Sequence, residues 1–260
     1  MLRIFAILML IGPSLALAAA PPVALNDAEM LALLKTIDAR QRNSGDYRAS
    51  VYIEQRQKDK EDLVYEATVL RRDDDDKLII LFSRPKSEAG KGYLRLDKNL
   101  FFFDPTVGKW ERRTERERIG GTNSQRSDFD ESRLAIEYTP RYVGDEKLGA
   151  FAVQHLELKA KEGVDVAYPL LQLWVDSQTS NILKRQEFAL SGRLMRTSYY
   201  PKWDKQYSED KKQEVYFPQE IRVFDEIEKG TSTTVVIRQV ELKPLDANLF
   251  TKAWLETQSR

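Results

Sequence analysis

The chain has 260 residues, no cysteine, and 41 Lys+Arg against 41 Asp+Glu, for a net charge of +0. The missing thiols exclude disulfides, thiol catalysis, cysteine-based metal sites and a lipid-modified N-terminus, which needs a cysteine just after a signal. The even charge leaves no global field to draw the protein onto nucleic acid or an anionic membrane, so no nucleic-acid partner is expected.

Met1-Leu2-Arg3 gives a positive start, an apolar run interrupted by Gly12-Pro13 covers 4–17, and Ala16-Leu17-Ala18 offers a small-x-small cleavage site. A secretory signal peptide over 1–18, cleaved near Ala18, is expected. Cleavage after Ala20 is disfavoured because Pro21 would become the first mature residue. The rival reading is an uncleaved anchor, but about 14 apolar residues broken by Gly-Pro fall short of the roughly 20 that span a bilayer. Export without disulfides fits a Gram-negative periplasm.

Asn26 or Asp27 caps a predicted amphipathic helix with the stripe Met30, Leu31, Leu33, Leu34 and Ile37, ending near Asn43-Ser44-Gly45. After Gly45 the period changes to two: Tyr47, Ala49, Val51 and Ile53 alternate with polar residues, and strands over 63–72 and 77–83 follow. Asp73 to Asp76 joins them. Four adjacent acids suggest calcium, but the spaced oxygens and glycine of a calcium loop are missing, so a solvated hairpin tip is expected. Strands at 91–96, 100–103 and 109–113 come next, then the glycine-rich loop 119–124. Ser127 or Asp128, with Glu131, is read as the capping box of a helix carrying Leu134, Ile136 and Tyr138.

Eight more strands are predicted at 141–148, 151–160, 170–176, 182–190, 194–203, 214–217, 220–226 and 231–243, with a turn at Pro218 between the sixth and seventh. Asp246-Ala247-Asn248 caps a last helical piece with Leu249, Phe250, Trp254 and Leu255. About 11 or 12 strands without a linker imply one large antiparallel sheet in a single domain over 19–260.

No catalytic constellation emerges. His155 stands alone in an alternating strand and is read as a sheet-surface side chain, so no metal site or nucleophile is built on it. Glu115 and Glu117, and Asp128 and Asp130, sit among arginines and read as solvated surface. Gly120-Gly121-Thr122 lacks the order of a phosphate loop. The protein is therefore expected not to be an enzyme and to need no cofactor or metal. Phe101-Phe102-Phe103 puts rings on both faces of one strand, so both faces are covered, one of them by amphipathic helices over a curved sheet.

Gly90 to Arg95, Asn99 to Pro105, Lys109-Trp110-Glu111-Arg112, Ser127-Asp128-Phe129 with Leu134-Ala135, Leu173-Trp174-Val175-Asp176 and the ending from Leu249 to Leu255 together resemble the LolA-like outer-membrane lipoprotein-sorting family. The order of the pieces, behind a signal peptide, carries the likeness. One departure is that Gly121 is separated from Ser127 and that Ser132-Arg133 precedes Leu134. The resemblance implies a mainly β, α+β fold of LolA/LppX-like type: a strongly curved antiparallel half-barrel lidded by helices. Its concave side would hold acyl chains of a lipid or lipoprotein, moving from an inner-membrane transporter of ABC or RND type to an outer-membrane acceptor, with the protein as a monomer. The N-terminal helix and the loop 119–134 are the expected lids, and Leu31, Leu34, Tyr93, Leu100, Phe102, Trp110, Leu134 and Leu173 the expected cavity and lid residues. A sensor of the RseB kind, binding lipidated signals without delivering them, is the alternative; a protein with a filled core is another.

Overall fold

The structure, a computed structural model, describes residues 24–259 apart from 43, 74, 98, 115–116, 126–127 and 129–131. The leader expected over 1–18, and the Ser127 and Glu131 cap, lie outside the described residues.

Helix α1 (Asp27–Arg42) starts with a reciprocal box in which the Glu29 amide donates to Asn26 Oδ1 (3.0 Å) and the Asn26 amide to Glu29 Oε2 (2.8 Å). Those bonds satisfy amides that a helix start leaves without carbonyl partners. Six strands follow: β1 (Tyr47–Arg56), β2 (Leu63–Arg72), β3 (Lys77–Arg84), β4 (Gly92–Leu96), β5 (Asn99–Asp104) and β6 (Lys109–Arg113). After a 3-10 turn at Ile119–Gly121 and the one-turn helix α2 (Leu134–Glu137) come β7 (Tyr138–Leu148), β8 (Phe151–Ala160), β9 (Leu170–Asp176), β10 (Ile182–Phe188), β11 (Leu194–Ser208), β12 (Gln213–Asp225) and β13 (Ser232–Glu241). A second 3-10 turn, Ala247–Leu249, and helix α3 (Lys252–Gln258) end the chain.

All thirteen strands lie in one antiparallel sheet, ordered β6-β5-β4-β3-β2-β1-β13-β12-β11-β10-β9-β8-β7. The sheet is open and curled into a half-barrel, because side chains from both of its halves line one cavity. Its concave face is apolar where β1 to β3 meet β13, with Val51, Ile53, Val69 and Ile80. Under α1 the same face packs Met30, Leu34 and Ile37 against Leu134, Leu156, Leu171 and Leu173. On the convex face α3 seals the other half: fully buried Leu255, with Phe250, covers Leu70, Ile79, Leu94 and Phe103.

Several sequence expectations are corrected. The helix carrying Leu134 stops at Glu137, and Tyr138 already belongs to β7, where it pairs with Ala160. The strands expected at 214–217 and 220–226 are one, β12. Pro218 is tolerated because β13 pairs only with Glu220 to Phe224, so its missing N–H interrupts no ladder on that side. Asp73 is a buried anchor, not a solvated tip: it accepts from Arg71 Nε (2.7 Å) and the Gly45 amide (3.1 Å). His155 is also buried. It stacks on Trp174 (4.1 Å between centroids), and Glu146 accepts from both His155 Nδ1 (2.7 Å) and Trp174 Nε1 (2.9 Å).

Leu255→Ala should cost about 3 kcal/mol, the usual range for emptying a fully buried leucine site, read as a lower urea midpoint at unchanged slope. The Trp174 indole N–H, and after it His155, hold the Glu146 carboxyl below its ordinary value of 4.5. A depressed carboxylate contributes stability that is complete above the ordinary value and is lost as pH falls through the depressed one. Glu146→Gln should therefore flatten the acid limb of a melting-temperature profile below about pH 4.5, and an unchanged limb would show that this carboxylate is not what titrates.

Candidate functional site

The sheet order places β6 and β7 at the two open edges, yet they are consecutive in the chain. The segment between them has to cross the mouth of the half-barrel. It forms a strap held by polar contacts at each side. On the near side the Gly120 amide donates to Tyr93 Oη (3.0 Å), and the Asn123 amide to Thr233 Oγ1 (2.7 Å) and Gln55 Oε1 (3.1 Å), where Thr233 itself bonds Gln55. Ile119 buries itself among the concave aliphatics. Gly120 has φ +59°, the left-handed region that favours glycine, and a Cβ there would press on the Phe82 ring at 3.0 Å. On the far side Asp128 receives Arg196 Nη1 (2.9 Å) and Nη2 (2.7 Å).

The strap ends at α2, whose cap is supplied from α1. Asp38 accepts from Ser132 Oγ (2.6 Å) and from the Leu134 (2.9 Å) and Ala135 (2.8 Å) amides. The Lys161 ammonium donates to the Ala135 and Ile136 carbonyls at the other end (3.1 and 2.8 Å). An acid at the first turn and a cation at the last satisfy the orphan backbone groups of a helix too short to stand alone.

Between sheet, α1, α2 and strap lies a cavity of about 690 Å³. One wall is aliphatic: Ala49, Val51 and Ile53 of β1, Val69 of β2, Ile80 of β3 and Ile237 of β13. The opposite wall, on β10 and β11, is polar, with Arg185, Glu187, Ser198 and Tyr200, and Asp128 hangs over it from the strap. Arg185 Nη2 donates to Glu187 Oε1 (2.9 Å), and Arg196 Nη1 to Glu187 Oε2 (3.0 Å). Burial pushes the Tyr138 and Tyr200 phenols up to about 12, so both are neutral at physiological pH.

Of the residues expected at the site, Leu134 lines the cavity. Tyr93, Leu100 and Phe102 belong to the concave cluster that supports its aliphatic wall, and Leu34 and Leu173 to the cluster beneath α1. Two are misplaced. Leu31 is exposed on the outside of α1, whose buried side chains among the described residues are Met30, Leu34 and Ile37. Trp110 lies on the convex face: it packs on Phe103 (5.0 Å between centroids) and donates from Nε1 to Glu256 Oε1 (2.6 Å) of α3. Sequence reasoning missed the polar wall. Its signal is the i, i+2 pair Arg185 and Glu187, two charges on one face of a strand. Among the described residues no group of three or more His, Asp or Glu is placed to hold a metal ion, and no helix is long and apolar enough to cross a membrane.

A protein-family model described as "-like: Uncharacterized protein" matches residues 74–257. The chain belongs to that family, and its fold is LolA-like. A LolA superfamily protein from Nitrosomonas europaea superposes with TM-score 0.68 at 23% identity, covering 86% of this chain and 97% of that one. A putative outer membrane lipoprotein-sorting protein domain from Vibrio parahaemolyticus gives TM-score 0.76 at 18% identity, over 89% and 100%. A DUF1329 family protein from Desulfovibrio piger gives 0.74 at 16%, over 88% and 98%. No curated protein matches the chain.

Asp38→Ala removes the acceptor of both α2 amides. The expected loss is about 1 kcal/mol of global stability, with faster hydrogen exchange at Leu134 and Ala135 and little change at β8 and β9 amides.

Proposed function

We propose that this LolA-like protein is a periplasmic carrier that takes the acyl chains of a lipid or lipoprotein into its cavity and moves them from an inner-membrane transporter toward the outer membrane. In this reading residues 1–18 are a cleaved signal peptide, 19–260 act as one carrier domain, and the protein works as a monomer without catalysis. One observation carries it: a cavity of about 690 Å³ with an aliphatic wall, lying between the layers packed by α1 and α3. That volume lies within the range of dedicated ligand pockets. Moving a chain of about 16 carbons from water into such a space is worth on the order of 12 kcal/mol, at about 0.8 kcal/mol per methylene. A carrier needs no reactive group to hold cargo of that kind, only a wall and a roof. Likeness to proteins described as lipoprotein-sorting supports the same reading.

The test is binding of a fluorescent 16-carbon fatty acid to the purified protein. Val51→Glu sets a carboxylate on the aliphatic wall and should weaken binding at least about tenfold, because a charge without a partner is not tolerated against hydrocarbon. Phe101→Glu, on the convex face where Lys252 sits 4.4 Å from the ring centroid, should stay within about threefold of wild type. Equal loss from both, with circular dichroism unchanged, would place the binding site elsewhere; no binding by the wild type would remove the carrier reading.

A further inference from the structure

We infer that the ligand is an amphiphile whose uncharged, hydroxyl- and carbonyl-bearing head sits inside the cavity, against Arg185 and Tyr200, with its chain along the aliphatic wall of β1, β2, β3 and β13. The inference rests on the carrier reading and deepens it by naming what the head must be. It starts from the asymmetry of the cavity. An acyl chain alone would lay methylenes over Arg185, Glu187, Ser198 and Tyr200 as well as over the aliphatic wall. A buried donor left without an acceptor costs more than the burial of one methylene returns, so hydrocarbon on the polar wall works against binding.

The polar wall also states what it can accept. Its charges are already matched: Arg185 faces Glu187, and Arg196, which is 4% exposed, bridges Glu187 and Asp128. Elsewhere in the lining Arg71 pairs with Asp73 and Arg133 with Glu137, while Arg40 donates to Asn181 Oδ1 (3.4 Å) and lies over the Tyr216 ring, away from this wall. An anionic head would have to compete with Glu187 for Arg185, and a cationic one with the arginines for Glu187 and Asp128. Neither has an open counter-charge on this wall. What remains is hydrogen-bonding capacity. The Arg185 side chain keeps 27% of its surface exposed and lines the cavity beside the Tyr200 hydroxyl, so both are within reach of a ligand. A neutral head offering carbonyl and hydroxyl oxygens satisfies both without disturbing an ion pair.

The experiment compares displacement of the bound fluorescent fatty acid by 1-monolauroylglycerol and by laurate, which share a 12-carbon acyl group and differ in the head. The monoacylglycerol is expected to bind at least about tenfold tighter to the wild type. Tyr200→Phe, which removes one hydroxyl and keeps the ring, should cut that preference several-fold, read as the ratio of the two affinities. Arg185→Met should abolish the preference; it also uncovers Glu187, so Tyr200→Phe and Ser198→Ala decide the matter if it fails to fold. Laurate binding as tightly as the monoacylglycerol, or a preference that survives Tyr200→Phe and Ser198→Ala, overturns the inference and leaves the carrier reading standing. Binding of neither compound removes both.

Discussion

The pairing of β1 with β13 is the interaction on which the rest of this structure depends. The first six strands form one meander and the last seven another, and each would carry two free edges. Register from Arg48 against Glu241 to Arg56 against Ser232 sews them together at their inner strands. Only β6 and β7 remain as edges, and because they follow one another in the chain the connection between them has to run over the concave side. The roof of the cavity is in that sense a consequence of where the seam lies. The seam also holds it: Gln55 of β1 and Thr233 of β13 stand side by side there, and together they take the Asn123 amide. A seam shifted by one residue would turn one of these two side chains to the convex face and leave the strap with half of its anchor.

A half-barrel that lines a cavity has to find its stability elsewhere, because side chains facing the cavity have fewer protein atoms to touch than those in a packed core. Two packed regions flank the cavity. One is the α1 layer, where Leu34, Leu156, Leu158, Leu171 and Leu173 are fully buried; the other is the α3 layer on the back of the sheet, with Leu70, Ile79, Leu94 and Leu255. The sheet is thus clamped from opposite faces in its two halves, and the cavity occupies the stretch between.

Much of this was legible in the sequence, and the failures have physical causes. The strands expected at 63–72, 109–113, 151–160 and 170–176 are β2, β6, β8 and β9 with their observed bounds, and alternation is plainest in β2 and β8, where one face is packed and the other partly solvated. The run Phe101 to Phe103 correctly announced a strand covered on both faces. It could not announce which cover was which, because alternation fixes a relation between neighbours and not a direction; Trp110 was therefore assigned to the cavity although α3, some 140 residues further along, had claimed its face. The cap of α2 was sought within a few residues and is provided by Asp38 on another helix. The sequence reading gives Arg185 and Glu187 no role, because only the fold brings Arg196 and Asp128 to them.

The roof and the wall are held by different kinds of force, and that difference bears on function. At its two ends the strap is tied down by hydrogen bonds from Gly120 and Asn123 and by the Arg196–Asp128 pair; Ile119 is its aliphatic insertion among the described residues. A hydrogen bond exchanged for one to water has a net worth of only about 1 kcal/mol, whereas exposing packed leucines costs about two to three times that for each side chain. Lifting the strap gives up mainly polar bonds that water can replace, whereas parting α1 or α3 from the sheet exposes leucines that water cannot satisfy. In the carrier reading proposed above, the route past the polar ties brings cargo first to the side of the cavity where Asp128, Arg196 and Glu187 meet. A ligand head able to exchange hydrogen bonds with that network would meet a matching surface from its first contact, while a bare hydrocarbon would have to cross it.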